Sequence, residues 1–312
     1  MKKFYLNAVL FFSLFLVTLM FFDYLSIAEK SRSIIAEWTN STSFITGSVG
    51  PDEIKPYIIK AQTPDDSTKL IIGDSVCRQM FSGLQEYNSD FTIIGSNGAI
   101  TMAGQYILAK EYLDSHSEVS DIFLIVLPES LGRTFDTKLG YQYVVMPFAE
   151  TDTLKDLDRD TIEIMQSVYG NAFMNPQVVY AIDRSGVNRK LYLNLLEEYA
   201  SGHVLKNHFE LADQYVYKIY ELCQERGVTF HMYPCPVSET KKEYVDNLTV
   251  EYESSKIFEI NPYFLESVYY YPSEQSADGT HFSGDYANRE CYNEKIRIML
   301  EGEEILDMLK LE

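Results

Sequence analysis

Basic residues are scarce in this sequence of 312 residues, and the shortage excludes one large class of function. Lysine and arginine total 26 against 46 aspartates and glutamates, which gives a net charge of −20. No basic cluster is longer than Lys241–Lys242. Nucleic-acid binding needs a surface of lysine and arginine to neutralise phosphates, so we expect no nucleic-acid partner. With 46% hydrophobic residues, the chain is expected to be globular.

Cysteine is also sparse, and its spacing argues against a metal site. The four cysteines are far apart and form no CxxC pair, and no cluster of histidines and aspartates has the spacing of metal ligands. We therefore expect neither a metal nor another cofactor. The spacing leaves open whether any of the four, Cys77, Cys223, Cys235 and Cys291, form disulfides.

One long apolar run stands at the N-terminus. Residues Phe4 to Phe22 are broken only by Asn7, Ser13 and Thr18, and two lysines precede them. Nineteen helical residues span about 28 Å, close to the hydrocarbon thickness of a bilayer. The lysines predict a cytoplasmic N-terminus, with the rest of the chain outside the membrane. The alternative is a cleaved signal peptide, because Ser26-Ile27-Ala28 has small residues at a suitable spacing.

Three segments follow from this pattern. Residues 1–25 are expected to be the single transmembrane anchor (or signal peptide), and residues 26–67 a polar stalk. Residues 68–312 are expected to form one α/β domain. Within this domain, residues 132–202 fit the strand and helix pattern poorly, so we interpret them as an insertion that forms a lid or a partner surface.

Short apolar runs alternate with longer amphipathic segments through the domain, which is typical of a parallel sheet covered by helices. The predicted strands are Leu70–Ile72, Phe91–Ile94, Asp121–Leu127 and Val228–Tyr233. The predicted helices are Val76–Tyr87, Thr101–His116, Leu211–Gly227, a segment around Arg189–Ser201, and Tyr286–Leu309. Ligands of such sheets bind at the carboxyl ends of the strands.

Two short motifs carry the chemistry that we expect at this edge. Gly73-Asp74-Ser75 ends the first strand, and Asp278-Gly279-Thr280-His281 follows roughly 200 residues later. A serine that opens a helix can be an exposed nucleophile, and an aspartate three residues before a histidine can orient a general base. Ser75, His281 and Asp278 thus make up a candidate catalytic triad. Asp74 is interpreted as a turn or helix N-cap residue.

These motifs resemble those of the SGNH/GDSL hydrolase superfamily, in which a glycine after the second strand, here Gly95, also recurs. The resemblance implies a flavodoxin-like three-layer α/β/α fold. It also implies that Ser75 is the nucleophile, with His281 as base and Asp278 as its orienting group. The backbone N–H groups of Ser75 and Gly95 are then expected to form an oxyanion hole.

The sequence departs from this family after the third strand, where Leu127-Pro128-Glu129-Ser130 replaces the usual Gly-x-Asn-Asp. Asn97 is our candidate for the missing asparagine, with a plain turn residue as the alternative. Arg78, three residues after Ser75, is a candidate for binding a substrate carboxylate or for a salt bridge within the domain. Cys77 is interpreted as a small buried helix residue, in preference to a second nucleophile.

The divergent third block and the N-terminal apolar run are similar to exported SGNH-like proteins of cell-surface polysaccharide acylation. This resemblance implies acyl transfer or ester hydrolysis on a surface carbohydrate through an acyl-serine, with a membrane-embedded acyltransferase as a possible partner. The alternative is a non-catalytic component of the same fold that binds or assembles such a modification complex.

Overall fold

A computed structural model of the chain describes residues 2–27, 51–81, 89–95, 101–135, 140–179 and 209–283. The helices predicted around Arg189–Ser201 and over Tyr286–Leu309 lie outside these residues, as does Asn97. The described chain has an α/β architecture with a parallel central sheet, which confirms the strand and helix alternation.

The central sheet has four strands in the order β2-β1-β3-β4, and all of its neighbours run parallel. The strands are β1 (Lys69–Gly73), β2 (Phe91–Gly95), β3 (Asp121–Val126) and β4 (Thr229–Pro234). Each bound lies within two residues of the prediction, because β-branched and aromatic runs are ended here by glycine or proline. A separate parallel pair joins β5 (Val237–Ser238) to β6 (Tyr270–Tyr271).

Helices and short turns occupy the connections between the strands. The α-helices are α1 (Lys2–Ile27), α2 (Pro51–Gln62), α3 (Ser75–Phe81), α4 (Met102–Ser115), α5 (Met146–Glu150), α6 (Arg159–Tyr169), α7 (Glu210–Arg226), α8 (Lys242–Glu253) and α9 (Lys256–Ile260). A π-helical turn covers Tyr141–Val145, and 3₁₀ turns cover Pro128–Gly132, Leu154–Asp156, Asn171–Met174, Glu239–Lys241 and Ser273–Gln275. Helix α7 ends at Gly227, whose φ of 70° is left-handed and favours glycine.

Two hydrophobic clusters lie on opposite faces of the sheet. Leu70 and Ile72 of β1 belong to the larger cluster, which also includes residues of α2, α4 and α7. Ile71 points the other way, into a smaller cluster with residues of α3 and α8. This alternation is the two-residue period of a strand that is buried on both faces. The arrangement is compatible with three layers.

Two segments expected outside the core prove to be part of it. Helix α2 falls within the expected stalk, yet Ile54, Ile58 and Ala61 are fully buried in the larger cluster. The folded domain therefore includes α2, and the expected boundary at residue 68 is too late. Residues 140–179 of the expected lid contribute Val144, Phe148 and other buried side chains to the same cluster. This part of the insertion packs as core.

The N-terminal apolar run forms α1. The side chains described for this helix include Phe4, Leu10 and Phe15, and all three are exposed. Within the described residues, no helix combines the length and hydropathy that a membrane span needs. The transmembrane anchor therefore stays a prediction.

Candidate active site

The carboxyl ends of β1 and β2 lie side by side at the edge where ligands of parallel sheets bind. Gly73 ends β1 directly opposite Gly95, the last residue of β2. Asp74 follows, and Ser75 is the first residue of α3. The chain therefore turns from a buried strand into a helix within one residue, and the partly buried Ser75 lies at that turn.

Both glycines are needed because atoms of neighbouring elements approach them very closely, β3 and α3 at Gly73 and α3 at Gly95. A Cβ atom on Gly73 would lie 2.0 Å from the carbonyl oxygen of Ile125 and 2.6 Å from Cβ of Cys77. A Cβ atom on Gly95 would lie 2.8 Å from the backbone nitrogen of Arg78. Real Cβ atoms do not pack this tightly, so any side chain at either position would displace α3 and Ser75 with it.

Asp74 is a buried carboxylate that ties the start of α3 to the end of β3. Its Oδ1 accepts hydrogen bonds from the backbone N–H groups of Val76, at 3.0 Å, and Cys77, at 3.3 Å. Its Oδ2 accepts from the N–H of Leu127 at 2.6 Å and from Oγ of Ser130 at 2.7 Å. The first pair of bonds is a helix N-cap, in agreement with the structural interpretation of Asp74.

His281 and Asp278 lie on a tight turn that fixes their relative position. Oδ1 of Asp278 accepts hydrogen bonds from the N–H groups of Thr280, at 3.0 Å, and His281, at 2.8 Å. Gly279, between them, has a φ of 84°, a conformation that favours glycine. Oδ2 of Asp278 is then 2.8 Å from Nδ1 of His281. Because a carboxylate accepts, Nδ1 carries the proton and donates it.

Nε2 of His281 is therefore free to accept, and it lies 2.8 Å from Oγ of Ser75. The two residues are 206 positions apart in the sequence. The structure thus brings the three predicted side chains together in one hydrogen-bonded chain, from the Ser75 hydroxyl through the imidazole to the carboxylate. This geometry is that of a nucleophile, a general base and an orienting acid.

The pKa of Asp278 is lowered to about 2. Partial burial acts in the opposite direction, but the hydrogen bonds from the backbone N–H and the ring of His281 and from the Thr280 N–H outweigh it. Asp278 therefore remains a carboxylate through any ordinary assay range, and it keeps the imidazole in the Nδ1–H tautomer.

The described residues supply only part of an oxyanion hole. Among them, the N–H groups of Val76 and Cys77 are occupied by Asp74, whereas no described acceptor takes the N–H of Ser75. Gly95 lies at the neighbouring strand end, as expected. The third block, Leu127 to Ser130, has no asparagine, and its Leu127 N–H and Ser130 hydroxyl both donate to Asp74.

Arg78 lies one helical turn after Ser75 on α3 and is partly buried. Its backbone and Cβ border Gly95. No carboxylate among the described residues forms an ion pair with it, so the salt bridge that we considered is not formed there. Substrate binding by Arg78 stays a prediction.

Cys77 is fully buried beside the turn, and its thiol lies 3.8 Å from the Ile72 carbonyl oxygen. Burial, and secondarily the charge of Asp74, raise the pKa of this thiol well above its ordinary value. A buried, protonated thiol is a poor nucleophile, which agrees with its interpretation as a packing residue. Cys77, Cys223 and Cys235 are all free.

No group of three or more histidine, cysteine, aspartate or glutamate side chains within the described ranges is arranged to hold a metal ion. His231, which lies in β4, instead pairs with Asp121 of β3, with Nε2 2.8 Å from Oδ1. It stacks on Phe123 with 4.4 Å between ring centroids. This histidine belongs to the packing of the sheet.

Two residues that hold the turn of His281 were missed from the sequence. Gln79 of α3 makes two hydrogen bonds to the backbone of Phe282. Tyr271, fully buried in β6, donates its hydroxyl to the carbonyl oxygen of Thr280 at 3.2 Å. The one available signal was a polar residue four positions after Ser75 on a helix that is otherwise mainly apolar.

Comparison of the chain with protein-family models gives no match. Comparisons with curated proteins and with solved structures likewise give none. We therefore infer a function from the residues themselves.

Proposed function

We propose that this chain is a serine-dependent enzyme that hydrolyses an ester or transfers its acyl group. The observation that carries the proposal is the chain of two 2.8 Å hydrogen bonds from Ser75 Oγ to His281 Nε2 and from His281 Nδ1 to Asp278 Oδ2. A serine that only caps a helix, or a histidine that only lies at the surface, has no reason to form both of these hydrogen bonds. Ser75 lies 206 positions from His281 in the sequence, so local turn chemistry does not produce the bond between them.

The reaction follows from the proton positions. Oγ of Ser75 attacks the ester carbonyl carbon while its proton passes to Nε2 of His281. The tetrahedral intermediate collapses to an acyl-serine as the imidazolium returns that proton to the departing alkoxide. Water or a sugar hydroxyl then attacks the acyl carbon, giving its proton to Nε2, and Ser75 is regenerated. Asp278 stabilises the imidazolium throughout.

The oxyanion that forms in both steps needs donors at the carboxyl ends of β1 and β2. The N–H of Ser75 is one candidate, and the N–H of Gly95 is the second. Asn97 is the third candidate and lies outside the described residues. Loss of one such donor typically costs about 3 kcal/mol of transition-state stabilisation.

The order of elements supports an SGNH-type, flavodoxin-like fold. The strand order β2-β1-β3-β4 is the first part of the flavodoxin-like order. The nucleophile follows β1, the glycine ends β2, and the Asp-x-x-His turn follows β6. This is a likeness of arrangement, and fold alone does not establish activity.

For the substrate we propose an acyl ester of a cell-surface carbohydrate, and for the location the outer face of the membrane. The apolar run of α1 and its flanking lysines support an anchor with a cytoplasmic N-terminus. A membrane-embedded acyltransferase is the partner that would supply the acyl group in a transfer reaction. Protease protection of the full chain in sealed vesicles, with residues after 27 accessible from outside, would support this topology.

The second candidate is a non-catalytic component of a carbohydrate-modification complex. One observation favours it: the third block is engaged with Asp74 and has no asparagine to offer to an oxyanion. The two candidates differ in a single measurable property, which is the reactivity of Ser75.

That reactivity is tested with a fluorophosphonate probe on the full chain in detergent. Attack by Oγ on phosphorus releases fluoride and leaves the probe on Ser75. We expect labelling of the unsubstituted chain, none for Ser75→Ala, and undiminished labelling for Ser254→Ala, an exposed serine of the α8–α9 connection. A folded chain whose Ser75 stays unlabelled would overturn the enzyme and favour the binding component.

A further inference from the structure

Residues 275–283 form a short hairpin, here called the base hairpin, that carries Asp278 and His281. The N–H of Ala277 donates to the His281 carbonyl oxygen at 2.8 Å, and the N–H of Ser283 donates to the Gln275 carbonyl oxygen at 2.8 Å. These bonds and the Asp278 turn keep Asp278 and His281 in place relative to each other. They do not determine where the hairpin lies relative to Ser75.

Gln79 links the base hairpin to the helix of the nucleophile. Its Nε2 donates to the carbonyl oxygen of Phe282 at 3.3 Å, and its Oε1 accepts from the N–H of the same residue at 3.1 Å. Phe282 directly follows His281. Gln79 lies four residues after Ser75 on α3, on the same helical face one turn further on.

We propose that Gln79 is a positioning residue that sets the distance between Ser75 Oγ and His281 Nε2. The inference depends on the proposed function, since it concerns the same reaction. The side-chain amide of Gln79 bonds both the N–H and the carbonyl oxygen of Phe282, as the backbone of a neighbouring β-strand would. The backbone of residue 282 is therefore fixed relative to α3, and the adjoining imidazole with it. Among the described residues, no other side chain of α3 except Ser75 forms a hydrogen bond with the hairpin.

Phe282 shares the smaller hydrophobic cluster with α3, but two further contacts of the hairpin among the described residues lead to a different part of the domain. The ring of Phe282 packs on Tyr271 with 5.0 Å between centroids, and the Tyr271 hydroxyl binds the Thr280 carbonyl oxygen. Both attach the hairpin to β6. Without Gln79, these contacts would keep the hairpin folded on the domain while its register against α3 relaxes. Gln79 should therefore affect rate more than stability.

The test measures labelling by a fluorophosphonate on the full chain in detergent, separated into the maximal rate of modification and the half-saturating probe concentration. Gln79→Met keeps the length of the side chain and removes both hydrogen bonds. We expect the maximal rate to fall about 10- to 100-fold, because displacement of a base by about 1 Å has effects of this size. The half-saturating concentration should change less than about twofold, since Gln79 does not contact the probe.

Gln62→Met is the matched control. This glutamine of α2 donates to Glu111 at 2.7 Å at the surface, and its substitution should leave both parameters unchanged. If Gln79→Met fails to fold, Gln79→Glu serves in its place, because it retains the acceptor for the Phe282 N–H but places a carboxylate oxygen against the Phe282 carbonyl. It should show the same selective loss of rate.

A double-mutant cycle separates positioning from a general structural role. In a His281→Ala background, Gln79→Met should have no further effect on the slow residual labelling, because Gln79 acts only through His281. An equal additional loss in that background would overturn the inference, as would an unchanged rate in Gln79→Met while the unsubstituted chain labels at Ser75. Absence of any labelling in the unsubstituted chain would overturn the proposed function and the positioning role together.

Discussion

Asp74 and Asp278 both serve Ser75, but they do so from opposite environments. Asp74 is 4% exposed and accepts four hydrogen bonds from buried backbone and hydroxyl groups. The side chain of Asp278 is 56% exposed, and its bonds stay within its own turn. In the proposed mechanism, Asp74 holds the start of the nucleophile's helix from the core, and Asp278 orients the base at the surface. We therefore expect substitution of Asp74 to lower mainly the free energy of unfolding, and substitution of Asp278 to lower mainly the reaction rate.

The largest effect is expected from Asp278→Asn on the rate. An amide at this position can present its NH₂ to the imidazole, which favours the tautomer with the proton on Nε2 and removes the acceptor for the Ser75 proton. We expect labelling of Ser75 to slow by about 10³- to 10⁴-fold, because the same substitution in a serine-protease triad lowers the rate by about 10⁴-fold. The free energy of unfolding should change by less than about 1 kcal/mol, because the side chain is largely exposed.

Asp246→Asn is the control for this substitution, since Asp246 is an equally exposed aspartate in an ion pair with Lys242 of α8. It should leave the labelling rate unchanged. A normal rate for Asp278→Asn would remove Asp278 from the mechanism and leave Ser75 and His281 as a dyad.

Asp74→Ala should show the reverse pattern. Its loss leaves two buried N–H groups of α3, the Leu127 N–H and the Ser130 hydroxyl without their acceptor, and each such group costs about 1–3 kcal/mol. We expect the free energy of unfolding to fall by about 3 kcal/mol or more, measured by urea denaturation. Asp158→Ala is the comparison. This aspartate also accepts hydrogen bonds through both carboxylate oxygens, from the side chains of Lys218 and Gln214, but it lies near the surface. It should cost less than about 1 kcal/mol.

The smallest expected effect is the loss, at acid pH, of the contribution of Asp278 to the free energy of unfolding. Because the pKa of Asp278 is lowered from 3.8 to about 2 in the folded chain, its ionised form stabilises the fold above pH 4. This contribution is lost as the pH falls from about 4 to 2. Solvent screening at an exposed site reduces it to less than about 1 kcal/mol. The difference in unfolding free energy between the unsubstituted chain and Asp278→Asn, measured at pH 6, 4 and 3, should therefore narrow toward zero. A difference that widens in acid would contradict the lowered pKa.

The parts of this architecture that local pattern determines were predictable. Apolar runs ended by Gly73, Gly95 and Pro234 located the strands, and Gly227 located the end of α7. Helix α2 could also have been found, because Ile54, Ile58 and Ala61 have the spacing of one buried helical face. Its polar and proline-containing sequence concealed the pattern. The three triad residues were identifiable because a serine at a strand end and an Asp-x-x-His turn each have a chemical reason.

The contacts between distant segments could not be predicted. Nothing in the local sequence around Gln79 indicates a partner 203 residues away. The same holds for Leu127 and Ser130, which bind Asp74 from 53 and 56 positions away. Such contacts depend on how the strands are ordered in the sheet, and a single sequence gives no direct information on that order.

The separation of 206 positions between Ser75 and His281 has a consequence for synthesis and turnover of the protein. The ribosome adds Ser75 early, and it adds His281 only after the four described strands of the central sheet and α8 have been translated. A nascent chain, or a fragment cleaved anywhere between these two residues, holds a serine with no partner to deprotonate it. The proposed hydrolytic centre can therefore exist only in a chain that has been translated through the base hairpin and folded.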